Sequence, residues 1–419
     1  MAAPRPTVTS VARKAKASRG KTYSPTPTSC GAPVRNLPAR VCRVIPDLTA
    51  VERAFDYAVP DALAGAVRVG ALVRVPLHGR RVRGWVIADD VEPEAAELLD
   101  VLSASAGPPA DVVVLSEWIA SRWAGPRVAV LRSASPPNLV PATVWSNSGA
   151  RATESAQTKV RVVRQPPLLD RRADVAAMCA AVGSTIVCIA DAGRARTFGR
   201  YLVEQGRNVA LLHSVEPDAA RTAAWSRAAR GDCIVVGGRV AALAPVSDLA
   251  AVVVVDDNDE ALQEERSPTW HARDVLIERA SRAGALLTIC GPAPTVTAVA
   301  RASEVVAPPV DVERAGWPRV EVVDRRAEPP GAGLLTDALG HALRSARGLA
   351  VCIVNRRGRY RVLVCGNCGH VLRWDRSDER PLVCPECGAT KLRVIRAGVT
   401  RLREELSALV STARVVDID

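Results

Sequence analysis

Residues 252–265 read VVVVDDNDEALQEE, four β-branched side chains that run directly into a group of carboxylates. An unbroken apolar run of this kind is typical of a strand that is buried on both faces of a parallel sheet. Nucleotide-driven motors hold a magnesium ion beside a phosphate with the acidic end of such a strand. The stretch therefore predicts a parallel sheet, with a candidate motor site at Asp256, Asp257, Asn258 and Asp259.

Apolar runs of strand length recur through the middle of the chain. Four more apolar runs of strand length are separated by helical stretches, namely STIVCIAD (184–191), NVALLHS (208–214), DCIVVGG (232–238) and ALLTICGP (285–292). Alternation of this kind indicates a parallel sheet with helices on both faces. A second such unit is expected to begin with VEVVDRR (320–326) and GLAVCIVN (348–355). The fold class predicted is a multidomain α/β protein.

The remaining sequence suggests how the domains are arranged. Short strands broken by turns predict a small β-rich module over residues 41–107, and helical spacing beyond Pro108 favours a winged helix with a linker over 108–165. The parallel-sheet lobe would then span 166–310. A truncated second lobe would span 311–419, with a cysteine segment at 361–392 inserted in it.

Charge and composition narrow the class of protein. The chain has 419 residues, 48% of them hydrophobic, and a formal net charge of +12. No apolar run has the ~18 residues that a membrane span needs, and no signal core is present. We therefore expect a cytoplasmic, nucleoid-associated protein. Residues 1–40 form a basic arm without any acidic residue, which suits a polyanion. A solubilising leader, or a start codon assigned too early, remains an open alternative.

Four of the eleven cysteines have metal-ligand spacing. Cys365, Cys368, Cys384 and Cys387 form the pattern C-x2-C-x15-C-x2-C. Four thiolates so placed can close a tetrahedron around one structural zinc ion, with iron as the main competitor. The single cysteines in apolar runs are interpreted as buried reduced thiols. His213 and His271 have no ligand or carboxylate at useful spacing and are expected to be structural.

The order of these features resembles the primosomal protein N′ (PriA) family of bacterial replication-restart helicases. The stretches that carry the resemblance include VERAFDYAVPDAL, VRVGALVRVPLHGRRVRGWVI, VVVVDDNDE, WHARDVLIERA and VNRRGRYRVLVCGNCG. The resemblance implies that residues 41–107 bind the 3′ end of a nascent DNA strand. It also implies a degenerate RecA-like lobe and a zinc-binding segment.

The resemblance assigns roles to two groups of residues in the N-terminal module. Phe55, Asp56 and Tyr57 match family residues that receive the terminal nucleotide, although both aromatic residues could instead be core residues beside a turn. A strand pattern of Arg74, Arg80, Arg81 and Arg83 would line one face with phosphate contacts. A solvated face is the alternative.

The departures from the family concern the motor and the metal. The family has eight cysteines and two zinc ions, and here one site remains. The acidic motif, Asp-Glu-Glu-His in the family, reads Asp256-Asp257-Asn258-Asp259. No G-x-x-x-x-G-K-S/T loop exists, and DVAAMCAAVGSTIV, where we expect that loop, has one glycine and no lysine. Most of the second lobe is missing, as in the shortened, motor-degenerate members of the family in actinobacteria.

The function expected is recognition of forked or branched DNA during replication restart, without helicase activity. Expected partners are a single-strand/duplex junction, other primosome proteins and single-strand-binding protein, with no membrane. Two alternatives remain open. One is an active ATP-dependent helicase, and the other is an interaction scaffold, or a decayed gene product, that does not bind DNA.

Overall fold

The computed structural model describes residues 40–48, 53–93, 97–144, 159–246, 248–324, 326, 335–353, 360–373, 383–397, 399–410 and 414–416. Nearly all of the basic arm expected at 1–40, and most of the linker expected at 145–165, lie outside these residues. The chain divides into two compact units, Met1–Trp317 and Pro318–Asp419. In the part described, no helix is long and apolar enough to cross a membrane.

The first unit begins with an antiparallel sheet. Its strands are β1 (Val41–Pro46), β2 (Phe55–Ala58), β3 (Leu72–Leu77), β4 (Arg80–Asp89) and β5 (Ser103–Ser105), in the order β2-β1-β4-β3-β5. Alternate residues point to one face and form a core there, which includes Cys42, Val44, Val73 and Val75. The prediction of a small β-rich module is confirmed.

Two helices follow the sheet, α1 (Ala110–Arg122) and α2 (Arg127–Ala134). They pack on the face of the sheet opposite to that core, where Val113 and Leu131 form another cluster of buried residues with Trp85. Other residues of the same helices, including Leu115 and Ile119, belong to a second core that continues into the following lobe. The helices therefore join the two parts of the first unit. Between residues 106 and 144 the structure contains no strand, and the winged-helix prediction is not confirmed.

The lobe contains a seven-stranded parallel sheet. Its strands are β6 (Val160–Arg164), β7 (Ser184–Ile189), β8 (Val209–Leu211), β9 (Ile234–Gly237), β10 (Leu249–Val255), β11 (Leu286–Gly291) and β12 (Glu304–Val306), in the order β12-β6-β11-β10-β7-β9-β8. The helices are α3 (Arg172–Ala177), α4 (Ala192–Glu204), α5 (Asp218–Ala229), α6 (Ala272–Ala283), α7 (Val296–Arg301) and α8 (Val310–Ala315).

The four valines of the opening stretch lie in β10, the central strand. Val252 and Val254 face the core that contains residues of α6, whereas Val253 and Val255 face the core that contains residues of α4. Burial on both faces explains why the run is uniformly apolar. The parallel-sheet prediction is confirmed.

Strand β6 lies in a segment that the sequence analysis treated as linker. It pairs in parallel with β11 and β12, and Val160 and Val162 are buried. Its sequence, VRVVR, is short and rich in arginine, so its composition resembled a linker. Strand β6 is followed by residues 165–171 and then by α3, so a strand–loop–helix unit begins here. This unit begins well before residues 174–187, where a phosphate-binding loop was expected from the sequence.

The second unit has a three-stranded antiparallel sheet and two helices. The strands are β13 (Tyr360–Cys365), β14 (Val371–Arg373) and β15 (Leu392–Ala397), in the order β14-β13-β15, and the helices are α9 (Asp337–Ser345) and α10 (Val399–Leu409). The strands expected at 320–326 and 348–355 are absent from the described residues of both segments, where Val322 and Leu349 are exposed. A parallel strand needs neighbouring strands, and two isolated apolar segments cannot supply a stable sheet.

Candidate nucleic-acid interface and metal centre

Asp56 lies on the edge strand β2 and is paired with β1. The register sets it opposite Arg43, whose Nε and Nη2 atoms donate hydrogen bonds of 2.8 and 3.1 Å to the two carboxylate oxygens. The Asp56 side chain is only 4% exposed. Its charge is therefore balanced within the module. A carboxylate has further lone pairs, however, so a nucleotide hydroxyl could still donate to it.

The two aromatic residues beside Asp56 differ in exposure. Tyr57 is buried in the core of the sheet, where burial raises the pKa of its phenol and its hydroxyl donates to the Pro76 carbonyl at 3.1 Å. Phe55 is half-buried, and the guanidinium carbon of Arg53 lies 5.8 Å from its ring centroid. The geometry of Tyr57 is that of a core residue. Phe55 keeps part of its ring accessible for stacking.

The arginines of β3 and β4 do not all share one face. Arg74 is the cross-strand partner of Arg83, and Arg81 lies two residues before Arg83, so these three share a face. Arg80 lies on the opposite face, and the expectation that all four line one face is wrong. Arg83 forms an ion pair with Asp47 at 2.5 Å, so its charge is already compensated.

At the end of β10, Asp256 is held by two arginines. Nη1 of Arg171 lies 2.7 Å from Oδ1 of Asp256, and Nη1 of Arg194 lies 2.6 Å from Oδ2. Burial alone would raise the pKa of this carboxyl, but hydrogen bonds from both guanidinium groups outweigh it and lower the pKa. Two guanidinium groups therefore already neutralise the carboxylate at the end of β10.

Residues 165–171, between β6 and α3, form the loop that approaches Asp256. A phosphate-binding loop presents free backbone amides, yet Pro166 and Pro167 have no N–H group. The amides of Gln165 and Leu168 are already donated, each at 3.0 Å, to the carbonyls of Gly291 and Gly316. Residues 165–168 therefore offer no free amide to a phosphate. Neither this loop nor Arg171 is among the residues predicted from the sequence, although the pair Arg171-Arg172 after a Val-rich run was a usable signal.

The other residues of the acidic motif support local structure. Asp257 is buried and accepts hydrogen bonds from the Thr295 amide at 3.1 Å and from Nη1 of Arg273 at 3.1 Å, so it holds the start of α7. Asp259 caps the 3-10 turn at residues 260–262 by accepting from the Ala261 amide. Asn258 is exposed. Asp257 and Asp259 thus support a helix start and a turn.

Both histidines singled out in the sequence make structural contacts. Nε2 of His213 lies 2.9 Å from the Ala190 carbonyl oxygen, and the ring is buried. His271 is the N-cap of α6, where Nδ1 accepts from the Arg273 amide at 3.1 Å.

The four cysteines converge at one point of the second unit. All their sulfur atoms lie within 4.8 Å of one another, with Cys365 and Cys387 at 3.5 Å and Cys368 and Cys384 at 3.7 Å. Four sulfurs that are each ~2.3 Å from a zinc ion lie about 3.8 Å apart in a tetrahedron. The donor set therefore fits a metal ion that prefers four thiolates.

The two cysteine pairs lie in turns with the same hydrogen bonds. The amide of Cys365 donates to the His370 carbonyl at 2.9 Å, and the amide of Cys384 donates to the Ala389 carbonyl at 2.9 Å. Gly369 and Gly388 follow each pair with φ of 75° and 68°, a conformation that favours glycine. Amide donation, first from Ala389, lowers the pKa of Cys387 to about 6, which favours the thiolate that a metal requires.

Most of the other cysteines are enclosed by apolar side chains. Cys42, Cys188, Cys233 and Cys290 are buried free thiols, Cys179 is half-buried and Cys352 is exposed. Burial raises the pKa of Cys188 to about 12. The interpretation of the single cysteines as buried reduced thiols agrees with these four buried positions. Cys30 lies outside the described residues.

Sequence comparison relates the chain to DNA-processing proteins. Residues 43–136 match the family described as the PriA 3′DNA-binding domain (3′BD). This range continues through α1 and α2, beyond the boundary predicted at residue 107. The probable replication restart protein PriA of Mycobacterium tuberculosis is 32% identical over 426 residues, which cover 85% of this chain and 65% of that protein. The replication restart protein PriA of Bacillus subtilis is 27% identical over 51% of this chain and 30% of its own length.

The chain thus spans about two thirds of the mycobacterial relatives that it matches. Among solved structures, the helicase domain of Pyrococcus furiosus Hef matches 38% of this chain and 37% of that one. The identity is 13% and the TM-score is 0.28.

Proposed function

Because the chain belongs to the PriA family of replication restart proteins, we propose that it binds forked or branched DNA through its N-terminal module, independently of nucleotide. The observation that carries the proposal is the match of residues 43–136 to the 3′DNA-binding domain. These residues form the antiparallel sheet with Asp56 on its edge strand, together with α1 and α2. In this role the chain would present a fork to other primosome proteins and to single-strand-binding protein.

Recognition of a nascent 3′ end is proposed for the surface around Phe55 and Asp56. A half-buried phenyl ring can stack a base, and a carboxylate can accept a hydrogen bond from a terminal hydroxyl. Alternation along β2 points Phe55 and Asp56 to opposite faces. An end would therefore have to bind over the edge of β2 beside these two residues, where it meets the Phe55 ring directly and where the Asp56 side chain, 4% exposed, would have to be uncovered.

The absence of ATP hydrolysis is part of the proposal. It is supported by the ion pairs of Asp256 with Arg171 and Arg194, since a magnesium ion would have to displace both guanidinium groups. Pro166 and Pro167 in the facing loop also lack the amides that would hold phosphates. A helicase interpretation would require both features to rearrange.

One zinc ion is proposed for the four-cysteine centre, with a structural role. Four thiolates leave no open position for a substrate or a water molecule. The ion would fix the two cysteine turns relative to β13. It would have no part in chemistry on DNA.

The proposal is tested by comparing DNA shapes. Purified protein is titrated against a model fork and against a linear duplex of equal length, with fluorescence anisotropy as readout and at the same salt concentration. The proposal predicts tighter binding to the fork. Equal affinity for both shapes would contradict fork recognition, and no binding to either would favour the scaffold alternative.

A further inference from the structure

The hairpin formed by β3 and β4 ends in a turn that is open to solvent. The strands pair from Leu72 and Trp85 out to Leu77 and Arg80, and His78 and Gly79 connect them with φ of 47° and 74°. Two successive left-handed residues make the compact turn that suits the twist of paired strands. Both turn residues are exposed, and nothing lies within 4 Å of a side-chain position at Gly79. The tip is therefore free to approach a ligand.

Three arginines near this tip have no internal partner. Arg74, Arg80 and Arg81 are exposed, and within the described part of the chain their side chains have no hydrogen bond, ion pair or ring contact. Arg43 and Arg83, in the same sheet, are instead paired with Asp56 and Asp47. No acidic residue lies between Leu72 and Ala88. An anionic ligand could bind the three arginines without breaking an existing ion pair.

The face of the hairpin on which each arginine lies indicates which kind of phosphate surface the hairpin can contact. At the two-stranded end of the hairpin, Arg80 lies on one face and Arg81 on the other. Arg74 is on the same face as Arg81 but lies where β5 also pairs with β3. A flat surface of phosphates could contact only one of these faces. A DNA groove, in contrast, has a phosphate backbone on each side, and the major groove is about 12 Å wide, enough to admit a two-stranded β-ribbon.

We propose that the β3–β4 hairpin inserts into the major groove of duplex DNA. Arg80 would contact the backbone of one strand, and Arg81 would contact the other. The inference rests on the proposed function, since it requires that the chain binds DNA, but it concerns the duplex arm and not the strand end. The hairpin arginines are assigned to phosphates and the hairpin has no Asn, Gln, Asp or Glu, so the contact should depend only weakly on sequence.

The test uses a DNA duplex that is closed by hairpin loops at both ends, which removes any 3′ end. Binding of the full chain is measured by fluorescence anisotropy over a series of KCl concentrations. The double variant R80A/R81A should reduce the slope of log K against log salt by about 0.9 for each lost phosphate contact, or about 2 in total. A wild-type slope in this variant would overturn the proposal.

Matched variants separate local contacts from net charge. The variant R200A/R230A removes two exposed arginines from the lobe and should keep the wild-type slope, whereas an equal reduction would overturn the assignment to the hairpin. The variant R80K/R81K retains both charges and should also keep that slope, and a reduction as large as that of R80A/R81A would contradict a phosphate contact. Thermal unfolding confirms that each variant is folded.

A groove-specific probe tests the position on the duplex. Netropsin fills the minor groove of an A·T tract in the closed duplex, and the proposal predicts unchanged affinity in its presence. Displacement by netropsin would contradict the major groove. If the wild-type chain binds no DNA at all, the proposed function fails, whereas wild-type binding with an unaltered R80A/R81A slope refutes this inference alone.

Discussion

At the scale of single residues, the proposed recognition of a strand end is assigned to Asp56. Replacing Asp56 with alanine should weaken binding to a fork with a free nascent 3′ end about tenfold or more, because a hydrogen bond to a charged group contributes about 1.5–3 kcal/mol. Binding to a fork whose nascent end is blocked should change much less. The measurement is the ratio of the two dissociation constants, determined for both proteins at one salt concentration.

Asp47 offers a matched control for this change. Its carboxylate is also held by arginines of the same part of the chain, Arg83 and Arg132, but it lies away from β2. Asp47→Ala should affect both forks equally. If Asp56→Ala does the same, Asp56 has no role specific to the strand end.

Asp256 is predicted to stabilise the lobe through its two ion pairs. Asp256→Asn keeps a residue that tolerates a φ of 54° and removes the charge, so it should lower the free energy of unfolding by about 1–2 kcal/mol at pH 7. The pKa of Asp256 is lowered in the folded chain. The stabilisation is therefore present above the unfolded-state pKa of about 3.9 and is lost as the pH falls through the lower folded value.

Urea unfolding between pH 7 and pH 3 measures this difference. The difference in the free energy of unfolding between wild type and Asp256→Asn should be constant near neutral pH and should disappear below about pH 4. Asp232→Asn is the control, since Asp232 has a φ of 48° but is exposed. A gap that persists unchanged at pH 3, or one of equal size in the control, would contradict the role of the ion pairs.

The roles of some of these residues can be predicted from the sequence, and the roles of others cannot. A role in a helix end or a turn could be predicted for Asp257, because a short acidic side chain next to a strand end is local information, and the structure shows the same kind of role for Asp259. Arg171 and Asp256 are 85 positions apart, and they meet only because β6 and β10 lie in one sheet. In the same way, the pairing of Arg43 with Asp56 depends on the register of two strands.

At the scale of elements, the cysteine segment should depend on one zinc ion. Elemental analysis of the purified chain should give one zinc for each chain, and a strong chelator should unfold β13, β14 and β15. Binding of a metal ion supplies much of the folding free energy of such small segments. The small core around Leu363 and Leu392 includes two of the cysteines themselves. The parallel sheet of the first unit should survive chelation.

A pair of serine variants makes the zinc prediction specific. Cys387→Ser removes one of the four sulfurs and should lower the zinc content, whereas Cys352→Ser changes an exposed cysteine outside the cluster and should not. Hydrogen exchange locates the loss of structure. Zero or two metal ions for each chain, or an equal effect of both variants, would refute the assignment.

Elements with strong periodicity were predictable, and elements that depend on neighbours were not. The run VVVV (252–255) determined a central strand because it must be buried on both faces. The segments around Val322 and Leu349 have the same local pattern but are exposed, because the described part of the second unit provides no adjacent parallel strand. The strand propensity of a segment does not by itself supply the hydrogen-bonding partners of a sheet.

At the scale of the whole molecule, we expect no DNA-stimulated ATP hydrolysis. Residues 165–168 of the facing loop offer no free amide, and Asp256 is already neutralised. Phosphate release with fork DNA present should therefore equal that of a buffer blank. Hydrolysis above the blank that disappears in Asp256→Ala would identify a working motor and refute this prediction.

The central claim is that a DNA end is recognised without any nucleotide. The most direct measurement is the dissociation constant of the wild-type chain for two forks, identical except that the nascent 3′ end is free in one and blocked in the other, each with and without Mg-ATP. We expect the fork with the free 3′ end to bind more tightly than the blocked fork, by the same factor with and without Mg-ATP. Equal affinity for the two forks, or a preference that appears only with Mg-ATP, would contradict it.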